Sequence, residues 1–85
     1  MNTPDSGAAS ERALDDLEPG ETGVIVRLGG DEAIAHRLME LGLVPGTPVE
    51  VVRRAPLGDP VELRLRQVHL SIRRSEAANI HVTIA

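Results

Sequence analysis

Short apolar runs, each bounded by turn residues, divide this chain into small elements. Gly23–Leu28 predicts a first β-strand, and Gly29 and Gly30 predict its end. Asp31 is a suitable N-cap for a helix over residues 32–41, because its side chain can accept a hydrogen bond from the first helical turn. Three apolar side chains recur at helical spacing and predict the face that packs on the core: Ile34, Leu38 and Leu41.

Residues 41–60 combine two turns with one strand. Gly42 suits the left-handed conformation that stops a helix, and Pro45-Gly46 is a turn pair. The strand begins at Val49 and alternates with a period of two residues. This alternation breaks near Val52, which predicts a β-bulge or a sharp twist at that position.

The second half of the chain predicts a hairpin followed by three further elements. Residues 56–60 begin and end with proline, so they form a stiff loop rather than part of a strand. Residues 61–66 and 68–72 alternate without interruption and predict two half-buried strands. Residues 73–79 are long enough for about one or two helical turns, and residues 80–84 predict the last strand.

The predicted fold class is therefore mainly β. About five short strands on one shared core, with one inserted helix and a short helical turn before the last strand, indicate a small, partly open barrel. Residues 1–13 contain too few apolar side chains to join a core, and we expect them to form a disordered N-terminal tail. The folded domain is then predicted to cover residues 14–85.

Composition excludes several classes of function. The chain has no Phe, Tyr or Trp, so it cannot build the aromatic groove that reads proline-rich peptides or the rings on which single-stranded nucleic acids stack. A formal net charge of −4 argues against general affinity for nucleic acid or anionic lipid. Residues 43–85 nevertheless carry six arginines and four acids, so this half fits either an acidic protein partner or a solvated mixed surface.

The absence of cysteine excludes disulfides, thiolate metal sites and a thiol nucleophile. The first residues lack the basic and apolar regions of a signal peptide, and no apolar run approaches the thickness of a bilayer. We therefore expect a cytoplasmic protein without direct membrane insertion. Ser71 and Ser75 have no His and acid at suitable positions, and no glycine-rich phosphate loop is present, so we do not expect an enzyme.

Taken together, the chain resembles the FeoA domain, the small SH3-like barrel of ferrous iron transport protein A. The resemblance covers nearly everything after the tail. The related SH3-like domain of iron-dependent repressors is the nearest alternative, and the lack of a preceding helix-turn-helix region here favours the transport family. The matching segments follow one another in this order: Leu14, Leu17, Pro19-Gly20, Gly23, Arg37-Leu38, Glu40–Leu43, Pro45-Gly46, residues 51–63 and residues 70–82.

The resemblance implies a cytoplasmic accessory protein of bacterial ferrous iron uptake. Its partner would be the cytoplasmic region of FeoB, a membrane transporter with a GTP-binding domain, whose GTPase or transport activity it would modulate. The resemblance leaves open whether the accessory activates GTP hydrolysis, helps to assemble the transporter or regulates its opening. Gln67-Val68 stands where many relatives carry a glycine and an aromatic residue, so no role of an exposed ring is expected there.

Two groups of residues are the candidates for partner contact. Apolar side chains on stiff loops lose little entropy when they dock, and loops on a rigid scaffold often carry binding. The alternative is that the first group closes the core over the helix end and that the second is only a hairpin tip. The first group is Leu41, Leu43 and Pro45, and the second is Pro56, Leu57, Gly58, Asp59 and Pro60.

Arginines extend this candidate surface. Arg53 and Arg54 precede the second loop, and an arginine supplied in trans can stabilise the charge that develops in a GTPase reaction. Four other arginines of the second half qualify by the same reasoning: Arg64, Arg66, Arg73 and Arg74. The alternative is that these arginines pair with glutamates across neighbouring strands, namely Glu50, Glu62 and Glu76.

Histidine supplies the only soft metal ligand type in the chain. His36 and Glu40 lie one helical turn apart on the predicted solvent face, with Glu32 one turn earlier, a spacing that can hold a divalent transition metal. His69 and His81 fall on outward faces of two strands, at a separation that the sequence does not fix. A closed zinc site needs four ligands, so this pattern supports only weak Fe²⁺ or Zn²⁺ binding, completed by water or a second chain. The alternative is that these side chains are simply solvated.

Three functions remain after these arguments. The first is a non-enzymatic regulator of the iron transporter that requires no cofactor. The second is an iron sensor that binds a transition metal. The third is a homo-oligomer that associates through a sheet edge or its apolar loops.

Overall fold

The computed structural model describes residues 11–84, which form one antiparallel sheet with two helices. The strands are β1 (Glu11–Ala13), β2 (Thr22–Leu28), β3 (Pro48–Arg54), β4 (Val61–Leu65), β5 (Val68–Ile72) and β6 (Ile80–Ile84), and the helices are α1 (Glu32–Glu40) and α2 (Arg74–Ala77). The sheet order is β1-β6-β2-β3-β4-β5. A 3-10 turn at Leu14–Asp16 follows the first strand.

The predicted mainly-β fold, with an inserted helix and a short helical turn before the last strand, is confirmed. The number of strands and the boundary of the tail require correction. Glu11–Ala13, assigned above to the disordered tail, forms a sixth strand in which Arg12 pairs with Val82. Three residues are too few to show an alternating pattern, so the sequence could not indicate this strand. Residues 1–10 of the predicted tail and residue 85 lie outside the described residues.

Helix α1 begins and ends close to the predicted positions. Asp31 caps it, since its Oδ1 accepts a hydrogen bond from the backbone N–H of Ile34 at 2.9 Å. Gly42 follows with φ of 97°, the left-handed conformation predicted for the residue that stops the helix. Leu38 is fully buried, whereas Leu41 lies just beyond the last helical residue and is 41% exposed. The predicted apolar stripe therefore does not extend to Leu41.

The predicted bulge in β3 is confirmed and decides where two arginines point. Val51 pairs with Leu63, but Arg53 pairs with Glu62, so one extra residue stands in β3 between them. After this shift Arg54 lies opposite Val61, whose side chain is buried. The bulge thus turns Arg54 toward the inner side of the sheet, while Arg53 faces outward and its Nε lies 3.1 Å from a carboxylate oxygen of Glu62.

One aliphatic core lies inside the curved sheet and beneath α1. Gly23 allows β2 to approach β6, because a Cβ at this position would lie 2.9 Å from the side chain of Val82. Within residues 11–84, no helix has the length and apolar character needed to cross a bilayer. The buried apolar residues are Leu14, Leu17, Ile25, Leu38, Leu43, Val49, Val51, Val61, Leu63, Leu65, Ile72, Ala77, Ile80 and Val82.

Candidate functional site

The loop between β3 and β4 presents one strongly exposed apolar side chain, Leu57, which is 92% exposed. Backbone hydrogen bonds fix the loop on both sides of this residue. Gly58 donates to the carbonyl of Ala55 at 2.7 Å, and Ala55 donates to the carbonyl of Pro60 at 3.1 Å. Leu57 therefore stands on a loop that is already ordered, which lowers the entropy that docking would cost.

Helix α2 holds the same loop from the other side. The backbone N–H of Arg74 donates to Oδ1 of Asp59 at 3.0 Å, and the Arg74 side chain lies beside Gly58. Asp59 is thus engaged within the protein through one of its carboxylate oxygens, although its side chain remains at the surface. Pro56 is exposed and Gly58 is half-buried. Of the second predicted group, Leu57 is the member best placed to anchor a partner.

Asp15 joins the 3-10 turn to β3 and α2. Its Oδ1 accepts from Nη1 of Arg54 at 2.9 Å, and its Oδ2 accepts from Nε of Arg74 at 3.2 Å. Arg54 also donates to the backbone carbonyls of Asp15 and of Leu17, the latter at 3.1 Å. Burial alone would raise the pKa of the Asp15 carboxyl, but the hydrogen bonds and charges of the two arginines outweigh it and hold the pKa below its ordinary value.

This network removes Arg54 from the candidate contact surface. Its side chain is only 20% exposed, and its guanidinium is occupied by a carboxylate and two carbonyls. Arg53 stays exposed, but it pairs with Glu62, and Arg64 pairs with Glu50. Arg53 and Arg64 therefore form the cross-strand ion pairs that the alternative predicted. Within residues 11–84, six of the nine arginines form ion pairs with carboxylates, whereas Arg12, Arg66 and Arg73 do not.

The first predicted group is divided between the core and the surface. Leu43 is fully buried, so it closes the core over the helix end and cannot contact a partner, as the alternative stated. Leu41 and Pro45 are exposed. Leu41 also borders an apolar groove of about 340 Å³ at the junction of α1 and the β4–β5 turn. The residues that line the groove are Leu41, Gly42, Val44, Thr47, Leu65, Arg66 and Val68.

Sequence reasoning missed the strand side of this groove. Leu65 and Val68 close the β4–β5 hairpin opposite one another, and Val68 is 55% exposed. Alternation alone predicts that Val68 faces the core, because it shares a phase with Leu70 and Ile72. Val68 is the first residue of its strand, at the end of the hairpin, where the core no longer covers its side chain. This terminal position is the sequence signal that could have indicated its exposure.

The predicted metal ligands do not form one site. Nδ1 of His36 lies 3.8 Å from Oε2 of Glu40, and both side chains are solvated. Glu32 and His36 line a shallow depression on α1 to which Glu40 does not contribute. His69 on β5 and His81 on β6 are separated by three intervening strands in the sheet order. Among the described residues, no three His, Cys, Asp or Glu side chains come together as a metal site. The helix pair therefore offers two protein ligands at most.

Comparison with known proteins gives consistent matches. The sequence model of the FeoA domain matches residues 12–84. A curated relative from Porphyromonas gingivalis, a fusion of Fe(2+) transport protein A with the Fe(2+) transporter FeoB, is 41% identical over 71 residues. That match covers 84% of this chain but only 8% of the relative. The chain therefore spans a small part of the fusion protein.

Two solved structures share both fold and sequence with this chain. The FeoA protein of Chlorobium tepidum is 40% identical, with a TM-score of 0.80 over 86% of this chain and 70% of that protein. A zinc complex of FeoA from Stenotrophomonas maltophilia, described as a procaryotic SH3 domain protein, is 32% identical. Its TM-score is 0.70, with 81% of this chain and 86% of that protein covered. The SH3-like fold predicted above is thereby confirmed.

Proposed function

Because this chain belongs to the FeoA family, we propose that it is an accessory protein of bacterial ferrous iron uptake that binds the cytoplasmic region of FeoB and regulates it. The observation that carries the proposal is the Porphyromonas gingivalis relative, in which a 41% identical domain is fused to FeoB. A covalent link holds two modules at a high effective concentration, which favours modules that act together. The proposal includes a cytoplasmic location for this domain.

The proposed contact is the β3–β4 loop with Leu57 at its centre. An apolar side chain that is fully solvated in the free protein releases the most water when it enters a partner pocket. The loop is fixed by its own hydrogen bonds and by Arg74, so little order has to be imposed on binding. Exposed Pro56 precedes this anchor in the loop, and exposed Arg53 lies near the end of β3; we include both in the proposed surface.

Regulation through contact is better supported than regulation through a catalytic arginine. An arginine that acts in trans must reach out to the transferring phosphoryl group. Arg54 is instead held by Asp15 and two backbone carbonyls, and Arg53 is paired with Glu62. Neither arginine next to the docking loop is therefore free to act in the reaction, and the proposed effect on FeoB comes from docking. The catalytic alternative still applies to Arg66 and Arg73, which are exposed and form no ion pair within residues 11–84.

Leu57→Asp tests the docking surface. Calorimetric titration of the purified FeoB cytoplasmic region with the full chain should show binding, and Leu57→Asp should weaken it by about tenfold or more, since a buried anchor is replaced by a charge. Met39→Asp is the matched control, because it places the same charge on an exposed apolar position of α1. Equal affinity of Leu57→Asp would exclude the loop, whereas no binding by the unmodified chain would contradict the FeoB proposal itself.

A second candidate function, transition-metal sensing, rests on the His36–Glu40 pair. The two side chains lie on one face of α1 within reach of a shared ion, and a Stenotrophomonas maltophilia relative was solved with zinc. Two ligands from one chain support only weak binding, which water or a second molecule would have to complete. Metal sensing is therefore less well supported than regulation of FeoB.

A further inference from the structure

The two edges of the sheet are protected to very different degrees. Exposed strand edges invite pairing with other chains, and proteins usually guard them with short length, charges, prolines or bulges. β1, at one edge, spans three residues and carries both Glu11 and Arg12. β5, at the other edge, spans five residues from Val68 to Ile72, contains no Asp, Glu, Lys or Arg, and pairs with β4 without a bulge.

The outer side of β5 is open among the described residues. Within residues 11–84 its only strand partner is β4, through five consecutive pairs from Leu65–Val68 to Val61–Ile72. The backbone hydrogen bonds that connect turns, loops and caps of residues 11–84 include none from residues 68–72. Alternate backbone groups of an edge strand point away from its neighbour, so β5 presents donors and acceptors along its free side.

Positive charge stands at both ends of this open edge. Arg66 precedes β5 in the hairpin turn, and Arg73 follows it before α2. Both side chains are exposed, and within residues 11–84 neither forms an ion pair with a carboxylate. Arg66 has φ of 53°, a conformation in which glycine is favoured, yet the position carries a guanidinium. An uncharged strand between two free cations favours a partner with acidic residues at both ends.

The same charges disfavour a second copy of the chain. In antiparallel pairing of two β5 strands with Leu70 of one copy opposite His69 of the other, Arg66 of each copy would face Arg73 of the other. This register brings like charges together at each end of the pair, which is destabilising across strands. Charge complementarity therefore selects a different partner.

The apolar groove next to the edge adds a pocket for a side chain. Val68, the first residue of β5, lines this groove together with Leu41, Val44 and Leu65, and Arg66 lies at its rim. In recognition by strand addition, main-chain hydrogen bonds supply affinity and pockets for alternate side chains supply specificity. An added strand could place an apolar side chain in this groove and an acidic residue beside Arg66.

We propose that the outer edge of β5 binds an extended peptide segment by strand addition, and that this segment carries alternating apolar residues between acidic ends. Arg66 and Arg73 hold the acidic ends, and the groove beside Val68 takes an apolar side chain. This inference does not depend on the FeoB proposal, since the chemistry of the edge defines the segment whichever protein contains it.

The test uses two synthetic peptides with the full chain. One is Asp-Asp-Thr-Val-Thr-Val-Thr-Asp-Asp, and its control replaces every Asp with Lys; both are blocked at their ends. Amide NMR spectra of the ¹⁵N-labelled chain should show saturable shifts over residues 68–72 with the acidic peptide. The acidic peptide should bind about fivefold or more tightly than the basic one, because two exposed pairs change from attraction to repulsion, and added salt should reduce this preference.

Charge reversal on the protein gives the second arm of the test. Arg66→Glu and Arg73→Glu should each reduce the preference for the acidic peptide, and the double variant should prefer the basic peptide. Arg12→Glu, on the opposite edge, is the matched control and should leave the preference unchanged. Equal affinity for the two peptides, or shifts confined to other strands, would overturn the proposal. Shifts of β5 that depend on protein concentration without peptide would show a second copy as the occupant and would also overturn it.

Discussion

At the scale of single residues, the bulge of β3 has the largest consequence. It reverses the faces of Arg53 and Arg54, so that the second arginine lies on the inner side of the sheet beside Asp15. A buried or half-buried arginine requires partners for its donors, and Asp15 and two carbonyls supply them. The same aspartate also pairs with Arg74, whose backbone N–H holds Asp59. One carboxylate thus connects the 3-10 turn to the proposed docking loop.

Asp15→Asn should destabilise the domain by about 1–2 kcal/mol at pH 7, because a charge-assisted hydrogen bond becomes a neutral one while Arg54 stays half-buried. The Asp15 side chain is only 16% exposed, so solvent screens this loss weakly. The arginines hold the pKa of Asp15 below 3.8, its ordinary value. The stabilisation by the carboxylate is therefore complete above pH 3.8 and is lost as the pH falls through the lower, folded-state pKa.

Urea unfolding of the two proteins at pH 7 and again near pH 3 measures this difference. The gap in the free energy of unfolding should narrow at the lower pH, since below pH 3.8 the unfolded chain binds a proton at Asp15 before the folded protein does, which reduces the advantage of the carboxylate. Asp16→Asn is the matched control, because Asp16 is exposed and adjacent in sequence. A gap that stays constant with pH, or an equal loss in the control, would contradict the assigned role of Asp15.

Leu57, Leu43 and Asp15 show which side-chain environments can be predicted from a single sequence and which cannot. The exposed position of Leu57 follows from two prolines and a glycine around one apolar residue. The burial of Leu43 does not, because alternation assigns a face only within a strand or helix and Leu43 lies in the connection between α1 and β3. Asp15 was also missed as a functional partner. Its arginines are 39 and 59 residues away, and only the tertiary fold brings them together.

At the scale of elements, the periodic segments were predictable and the short ones were not. Helix α1 shows a cap, an apolar stripe and a glycine stop, and each of these is local chemistry. β4 and β5 show uninterrupted alternation. β1 contributes three residues whose strand state depends on pairing with β6, which is 70 residues away in the chain. Local patterns cannot report such a pairing.

Helix α1 is also the element that carries the metal prediction. His36→Ala should abolish detectable zinc or ferrous ion binding by the chain, because the pair with Glu40 loses its nitrogen ligand and one carboxylate remains. His69→Ala is the matched control, since β5 lies outside the helix pair, and it should leave the titration unchanged. Calorimetric titration with each ion under anaerobic conditions makes the measurement. Undiminished affinity in His36→Ala would place any metal site elsewhere.

At the scale of the whole molecule, one small aliphatic core supports three separate surfaces: the docking loop, the His36–Glu40 pair on α1, and the groove with the open edge of β5. The docking loop follows the end of β3, and the groove lies near the other end of β4, beside the open edge of β5. A domain of about 70 residues buries only about 60% of the surface of its extended chain, so its core is thin. The overall SH3-like fold was predictable because hydrophobic pattern and family resemblance agree. The exposed surfaces were less predictable from the sequence, since the exposure of a side chain in a turn depends on whether the tertiary fold packs that turn against the core.

This separation predicts that binding to FeoB does not require metal. The His36–Glu40 pair is solvated, and the proposed anchor Leu57 belongs to another element, so ion binding on α1 has no direct contact through which to change docking. The affinity of the full chain for the FeoB cytoplasmic region should agree within about twofold with and without ferrous iron, and His36→Ala should bind equally well. Anaerobic calorimetry measures all three affinities, with Leu57→Asp as the variant expected to lose binding. If ferrous iron strengthens binding by tenfold or more and His36→Ala removes that gain, the chain acts as a metal-dependent sensor instead.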